Sequence, residues 1–398
     1  MIRSGKKIFG TLFFSIFSVV TGVGIVVPLL PVYAHELGAG GLYIGLIFGA
    51  FSLSRIFFMP FFGRLSDQKG RKPYIVAGLA GYAVISLAFI AATDVKALIF
   101  IRFIQGVASA MIMPIVQAYI GDITPAGREG FTMGVFNMSV FCGLSVGPLL
   151  GGVINSHFGL NPAFVCLGAL AFLSFILSLL LLPPTRDEQV HSREKTVTDW
   201  KKILKDRDLA VLFLFRLAYT ICIGIIWSFM PVFADVEFSL SSSSIGILIM
   251  LGVFISGLIH TPVGYLADRV NRNFLVITGG LITSFAILSF EWAQGFKDLF
   301  VANVLFGLGG GISMPAVMAL AVVKGSRSNA MGSVMAVLTV AHSLGMLLGS
   351  VLGGLAMDLF HLKQAFFFGA LFMVAGVVIF LISSLKARPP GPTGQGGS

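Results

Sequence analysis

Twelve long apolar stretches, each separated from the next by a polar break, dominate this chain. They run at approximately 8–34, 43–62, 74–92, 97–119, 131–153, 163–182, 209–234, 243–263, 274–291, 298–322, 330–355 and 365–385. A helix needs about 20 mostly apolar residues to cross bilayer hydrocarbon. The runs are continuous and lack period-two alternation, which predicts spanning helices and excludes barrel strands. Only residues 183–208 form a long polar interruption, Pro183-Pro184 followed by a charge-rich run. This predicts a linker between two six-span units, 1–182 and 209–385. The tail 386–398 is rich in Pro and Gly, has too little apolar content to fold, and is expected to be disordered. The fold class that follows is an all-α membrane protein with twelve transmembrane helices in two six-helix bundles.

The breaks between spans reveal a duplication. Gly63-Arg64-Leu65-Ser66-Asp67-Gln68-Lys69-Gly70-Arg71-Lys72 follows the second stretch, and a weaker copy runs from Gly264 to Asn273 after the eighth. Asp67 corresponds to Asp268, and Arg71 to Arg272. Gln105-Gly106 with Met113-Pro114 in span 4 matches Phe306-Gly307 with Met314-Pro315 in span 10. Pro31-Val32-Tyr33-Ala34 matches Pro231-Val232-Phe233-Ala234, and the glycines of span 5 match Gly345, Gly349, Gly353 and Gly354 in span 11. Six spans per repeat give both halves the same orientation, related by an axis along the membrane normal.

Composition fits lipid as the solvent. The 398 residues are 56% hydrophobic and 11% charged, with mean hydropathy +0.95, against roughly 25% charged in a soluble domain. The net charge of +10 is a topology signal. Of the 27 Lys and Arg, 21 lie in the N-terminus, the even-numbered hairpins, the central loop and the tail. This positive-inside bias places both termini and the 183–208 loop in the cytoplasm and leaves nucleic acid without support as a partner. The first stretch is longer than a signal core, and Pro28 and Pro31 stand where a cleavage site would need small residues. Cys142, Cys166 and Cys222 all fall inside spans, without metal-ligand spacing.

These motifs resemble the major facilitator superfamily, specifically its twelve-span drug:proton antiporter branch, over nearly the whole chain. The loop pattern between spans 2 and 3 is met by Gly63, Leu65, Asp67, Gly70, Arg71, Lys72 and Ile75, while Gln68 departs from the usual basic residue. The antiporter motif of span 5 is met by Gly134, Gly143, Gly147, Pro148, Gly151 and Gly152. Leu98, Arg102, Gln105 and Gly106 meet the span-4 pattern; Gly22, Pro28 and Pro31 meet that of span 1. The resemblance implies that Asp67 locks against the start of span 11 when the halves open outward. It implies that Asp122 joins that charge cluster, that Arg102 takes part in proton transfer, and that the span-5 motif marks antiport.

Elementary chemistry accompanies each motif. Gly70 accepts the positive φ of a sharp turn, and its counterpart Asn271 is among the few other residues that tolerate it. Asp67 can pair with Arg71 and face a helix N-terminus. The span-5 glycines lie on one helix face and permit close helix approach, so packing alone also explains them. Pro148 removes a backbone donor and should kink the span.

Ionisable groups are expensive inside a bilayer, so those retained are candidates for the pathway. They are Arg55, Arg102, Arg216, His260 and His342, with Gln105, Asn137, Trp227 and Asn303 as weaker polar candidates. No Asp or Glu lies well inside a span, so a carboxylate exchanging a proton for a cationic drug is missing. His titrates near physiological pH and could carry protons. The 38 Phe and 15 Met supply soft apolar surface, mostly for packing.

The reading is a secondary active transporter, not an enzyme, with no metal and no cofactor beyond a proton gradient. It would export amphiphilic small molecules by rocking one half against the other. Its partners would be the bilayer and the substrate, and it is expected to act as a monomer in a bacterial inner membrane. The alternative is an organic-anion or lysolipid transporter with a cationic cavity; a lesser one is a non-transporting receptor or scaffold. No P-loop is present to support ATP-driven transport.

Overall fold

The computed structural model describes residues 3–124, 129–183, 206–267, 269–327 and 331–386. Among them every regular element is helical, and twelve helical stretches are long and apolar enough to cross a membrane. Spans 1 to 3 are Arg3–Glu36, Gly41–Lys69 and Arg71–Ala88. Span 4 comprises two helices, Val95–Ala110 and Met113–Ile123. Spans 5 and 6 are Glu129–Phe158 and Leu160–Leu181. The second half follows with spans 7 to 9 at Arg207–Phe238, Ser242–Ala267 and Arg272–Ser289. Spans 10 to 12 are Phe296–Arg327, Met331–Leu359 and Gln364–Lys386. Most of the 183–208 linker, most of the 386–398 tail and Asp268 lie outside the described residues.

The duplication is visible in details of the helices. Span 3 closes on a 3-10 turn at Phe89–Ala91, and span 9 on one at Phe290–Trp292. The repeats also diverge. Span 4 breaks at Met111 and Ile112, just before Pro114, which has no N–H to continue the ladder. Pro315 occupies the matching place in span 10, yet that helix runs on unbroken. Pro148 likewise sits inside a continuous helix. The span 2–3 turn uses Gly70 at φ +89°. Its counterpart Asn271 does not adopt a positive φ: it lies at −59° and caps span 9, its side chain accepting the N–H of Asn273. A polar side chain at a helix start gains more as a cap than as a left-handed corner.

Spans 1, 2, 4 and 5 pack around the axis of the first half, and spans 7, 8, 10 and 11 around that of the second. Spans 3 and 6 pair on the outside of the first half, as spans 9 and 12 do in the second. Two seams join the halves, span 2 on span 11 and span 5 on span 8, with span 1 touching span 7 between them. Glycine sets both seams. A Cβ on Gly45 would strike the Ser350 carbonyl, and one on Gly354 the Gly41 carbonyl. In the other seam, a Cβ on Gly152 would strike the Ser242 carbonyl, and one on Gly246 that of Pro148. The remaining motif glycines serve packing within a half. Gly143, Gly147 and Gly151 meet the backbone of span 1, and Gly345 and Gly349 meet span 7. Gly134 faces open space.

Candidate functional site

A cavity of about 220 Å³ lies between the halves. One wall is an apolar stripe of span 1, Ile16, Val19, Val20, Val23, Val26 and Val27, spaced so that one helix face presents them all. Span 2 contributes Phe48, Phe51, Ser52 and Arg55; span 4 contributes Arg102, Ser109, Ile112 and Met113. The break in span 4 therefore forms part of the wall. Val140 and Leu144 of span 5, Trp227 of span 7, and His342, Ser343 and Met346 of span 11 complete it. The charged or titratable side chains among these are Arg55, Arg102 and His342, and none of the lining residues is Asp or Glu.

The two arginines share one aromatic ring. The guanidinium carbon of Arg102 lies 4.3 Å from the centroid of Phe51, and that of Arg55 lies 5.6 Å from it. Arg102, only 4% exposed, donates to Oε1 of Gln105 at 2.7 Å. Gln105 is fully buried and serves Arg102 from behind the wall. The Nε atoms of Arg55 and Arg102 are buried without a hydrogen-bond partner. Phe51 and Arg55 are four residues apart, a spacing that stacks side chains on one helix face.

The remaining candidates fall in different places. Arg216 lies behind His342, with Nη2 3.4 Å from His342 Nδ1 and Nη1 2.8 Å from the Met314 sulfur. His260 rests 5.3 Å from the ring of Phe141, in the span 5–8 seam. Asn303, 2% exposed, donates to the Leu299 carbonyl and sits beside Gly252 of span 8, away from the cavity lining. Asn137 is exposed on span 5, one turn from Val140 on the same side.

The two ends of the cavity differ. Arg71, at the hairpin face, bonds Asp67, Ser66 Oγ at 2.9 Å and Asp122 at 3.1 Å. These three partners all belong to the first half. The Asp67 carboxylate, 60% exposed, pairs with Arg71 and with no described residue of the second half. Arg272 donates to the Ala267 carbonyl at 3.0 Å, and Lys72 follows Arg71 in the first turn of span 3.

On the far face the halves are clamped. Asp358 of span 11 accepts the N–H groups of Gly41 and Leu42 at the start of span 2. Asn155 and Ser156 of span 5 bond Ser242 and Ser243 at the start of span 8. Among the described residues, every side-chain hydrogen bond between the halves lies here. Sequence reasoning passed over Asp358. Its only signal is an acid one turn after Gly354, where the repeat in span 5 has polar residues.

The family model of the Major Facilitator Superfamily matches residues 12–255 and 212–398. An uncharacterised MFS-type transporter of Methanocaldococcus jannaschii is 29% identical over 94% of this chain and 98% of its own. The quinolone resistance protein NorA of Staphylococcus aureus is 28% identical over 95% and 96% respectively. Among solved structures, a bacterial homologue of the human lysosomal transporter Spinster, inward-facing and unoccupied, superposes with TM-score 0.82. That match covers 98% of this chain and 100% of the other at 14% identity, a likeness of fold.

Proposed function

Because this chain belongs to the major facilitator superfamily, we propose that it exports amphiphilic small molecules, powered by proton counterflow, by rocking its two halves about the cavity. The observation that carries this reading is the cavity itself. It sits between two pseudo-symmetric bundles, joins one long apolar wall to a few buried polar groups, and is clamped on one face. Such a surface suits a molecule with an apolar body and a polar end. By the positive-inside rule the hairpin face would be cytoplasmic, and the Staphylococcus aureus relative supports a bacterial-type membrane location. On that assignment the clamped far face is the outer gate, and the cavity is presented inward.

The span-5 motif and the resistance-protein name of a relative favour export over uptake. Alternating access requires the far-face clamp to release while a second clamp forms at the hairpin face. The exposure of Asp67 beside Arg71 supports it as the acid of that second clamp.

Reconstitution into proteoliposomes tests the proposal. An imposed pH gradient is expected to drive amphiphilic dyes uphill, and dissipating the gradient is expected to stop them. Failure of the gradient to move any of a broad panel overturns the reading.

A further inference from the structure

We infer that the cavity takes an amphiphile with an acidic head, a carboxylate or a phosphate, and that Arg55 holds this head. The inference rests on the transport reading above and names the substrate class of the same site.

Two guanidiniums, those of Arg55 and Arg102, lie against the single ring of Phe51. Among the described residues, the only side-chain hydrogen bond that either makes runs from Arg102 to the neutral amide of Gln105. Arg55 reaches the cavity with a buried Nε that has no partner. A charge at bilayer depth is normally paired or bonded to carbonyl groups, and no lining residue carries a carboxylate. The missing negative charge is therefore the ligand's. A guanidinium presents a planar fork of donors that matches a carboxylate or a phosphate and repels an ammonium. His342, on the facing wall, offers a further polar contact and is itself backed by Arg216. The tail has the span-1 stripe to lie along, ending at Val26 and Val27 near the far clamp. A cation-headed drug finds an apolar wall here but no anion to hold it.

The test uses undecyl chains with a dansyl group at one end and a carboxylate, a phosphate, an amine or a hydroxyl at the other. Trp227 lines the cavity, so energy transfer from it to dansyl reports binding in nanodiscs, with Trp200→Phe and Trp292→Phe silencing the other tryptophans. Trp227→Phe must abolish the signal. Both acids are expected to bind at least about tenfold tighter than the amine and the alcohol. Arg55→Gln is expected to erase that preference, since removing one partner of a buried ion pair costs more than the 1.4 kcal/mol of a tenfold change. Arg55→Lys keeps the charge without the fork. It should retain part of the preference, and it carries the test if the Gln variant does not elute as folded protein. Equal binding of amine and acids, or unchanged acid binding in Arg55→Gln, overturns the inference. Acids that bind but are not moved across proteoliposomes overturn the transport reading and leave the head site standing. An amine or alcohol that is moved while the acids neither bind nor move does the reverse.

Discussion

The carboxylate of Asp358, at the end of span 11, accepts the backbone N–H of Gly41 at 2.6 Å and of Leu42 at 2.8 Å. The first N–H groups of a helix have no partner within it. Here the second half of the molecule caps the start of span 2. The duplicated seam uses the same device with different chemistry, Ser156 accepting the N–H of Ser243 at 3.1 Å. Each half thus completes a helix of the other at the far face.

Asp358→Ala should loosen that face. Loss of a cap costs about 1 kcal/mol, which corresponds to about a fivefold shift in a two-state equilibrium. Spin labels on the far ends of spans 2 and 11 should show the longer-distance population growing by about that factor. An unchanged distance distribution would count against the clamp.

Gly45→Val should have the same direction and a larger effect. The added side chain meets the Ser350 carbonyl and lies 3.2 Å from Val351 Cα. Overpacking of this kind costs about 1–3 kcal/mol, so substrate flux in proteoliposomes should fall about tenfold while insertion and elution stay normal. Gly134→Ala, where a Cβ meets open space, is the control and should transport normally.

Asp67→Asn should separate stability from turnover. Asp67 is exposed, and the buried Arg71 keeps Asp122 and Ser66 as partners, so losing this carboxylate costs little locally, at most about 1 kcal/mol. The thermal midpoint should therefore hardly move, whereas transport should drop because the hairpin-face clamp loses its acid. Wild-type kinetics in this variant would show that the acid has no part in the cycle.

The span count, the repeat and the hairpin cluster were legible because lipid imposes one segment length and because Gly70, Arg71 and Asp122 act close to helix ends. Which way a span faces was not. Lipid and protein interior are both apolar, so periodicity could not separate Arg55, on the cavity wall, from Asn303, packed behind span 8. Span 4 was read as one helix because Pro114 stood out only as a repeat marker, and the intact helix around Pro315 shows that proline alone does not decide a break. Asp358 was invisible for a different reason: the helix it caps begins 317 residues earlier in the chain.

An ion pair between Asp206 and Lys324 sits at the start of span 7. Burial works against ionisation of Asp206, but the Lys324 ammonium at 2.8 Å and the Leu209 N–H outweigh it and hold its carboxyl below the usual carboxylate range. A depressed pKa stabilises the fold above the unfolded value, near 3.9, and that contribution fades as pH falls through the folded value. Asp206→Asn should melt earlier than wild type at neutral pH. The gap should narrow below about pH 4 and close at lower pH, as followed by thermal unfolding in detergent. A gap that persists in acid would rule out the ion pair as its source.

At their tightest points the seams between the halves are built from main chain. Where Gly45 meets Ser350 and Gly152 meets Ser242, backbone rests on backbone. Ordering a long side chain carries an entropy penalty of up to about 2 kcal/mol, and glycine carries none. At these points parting and rejoining the surfaces leaves no long side chain to recapture, so the entropy to be restored on closing is confined to the few clamp side chains at the far face.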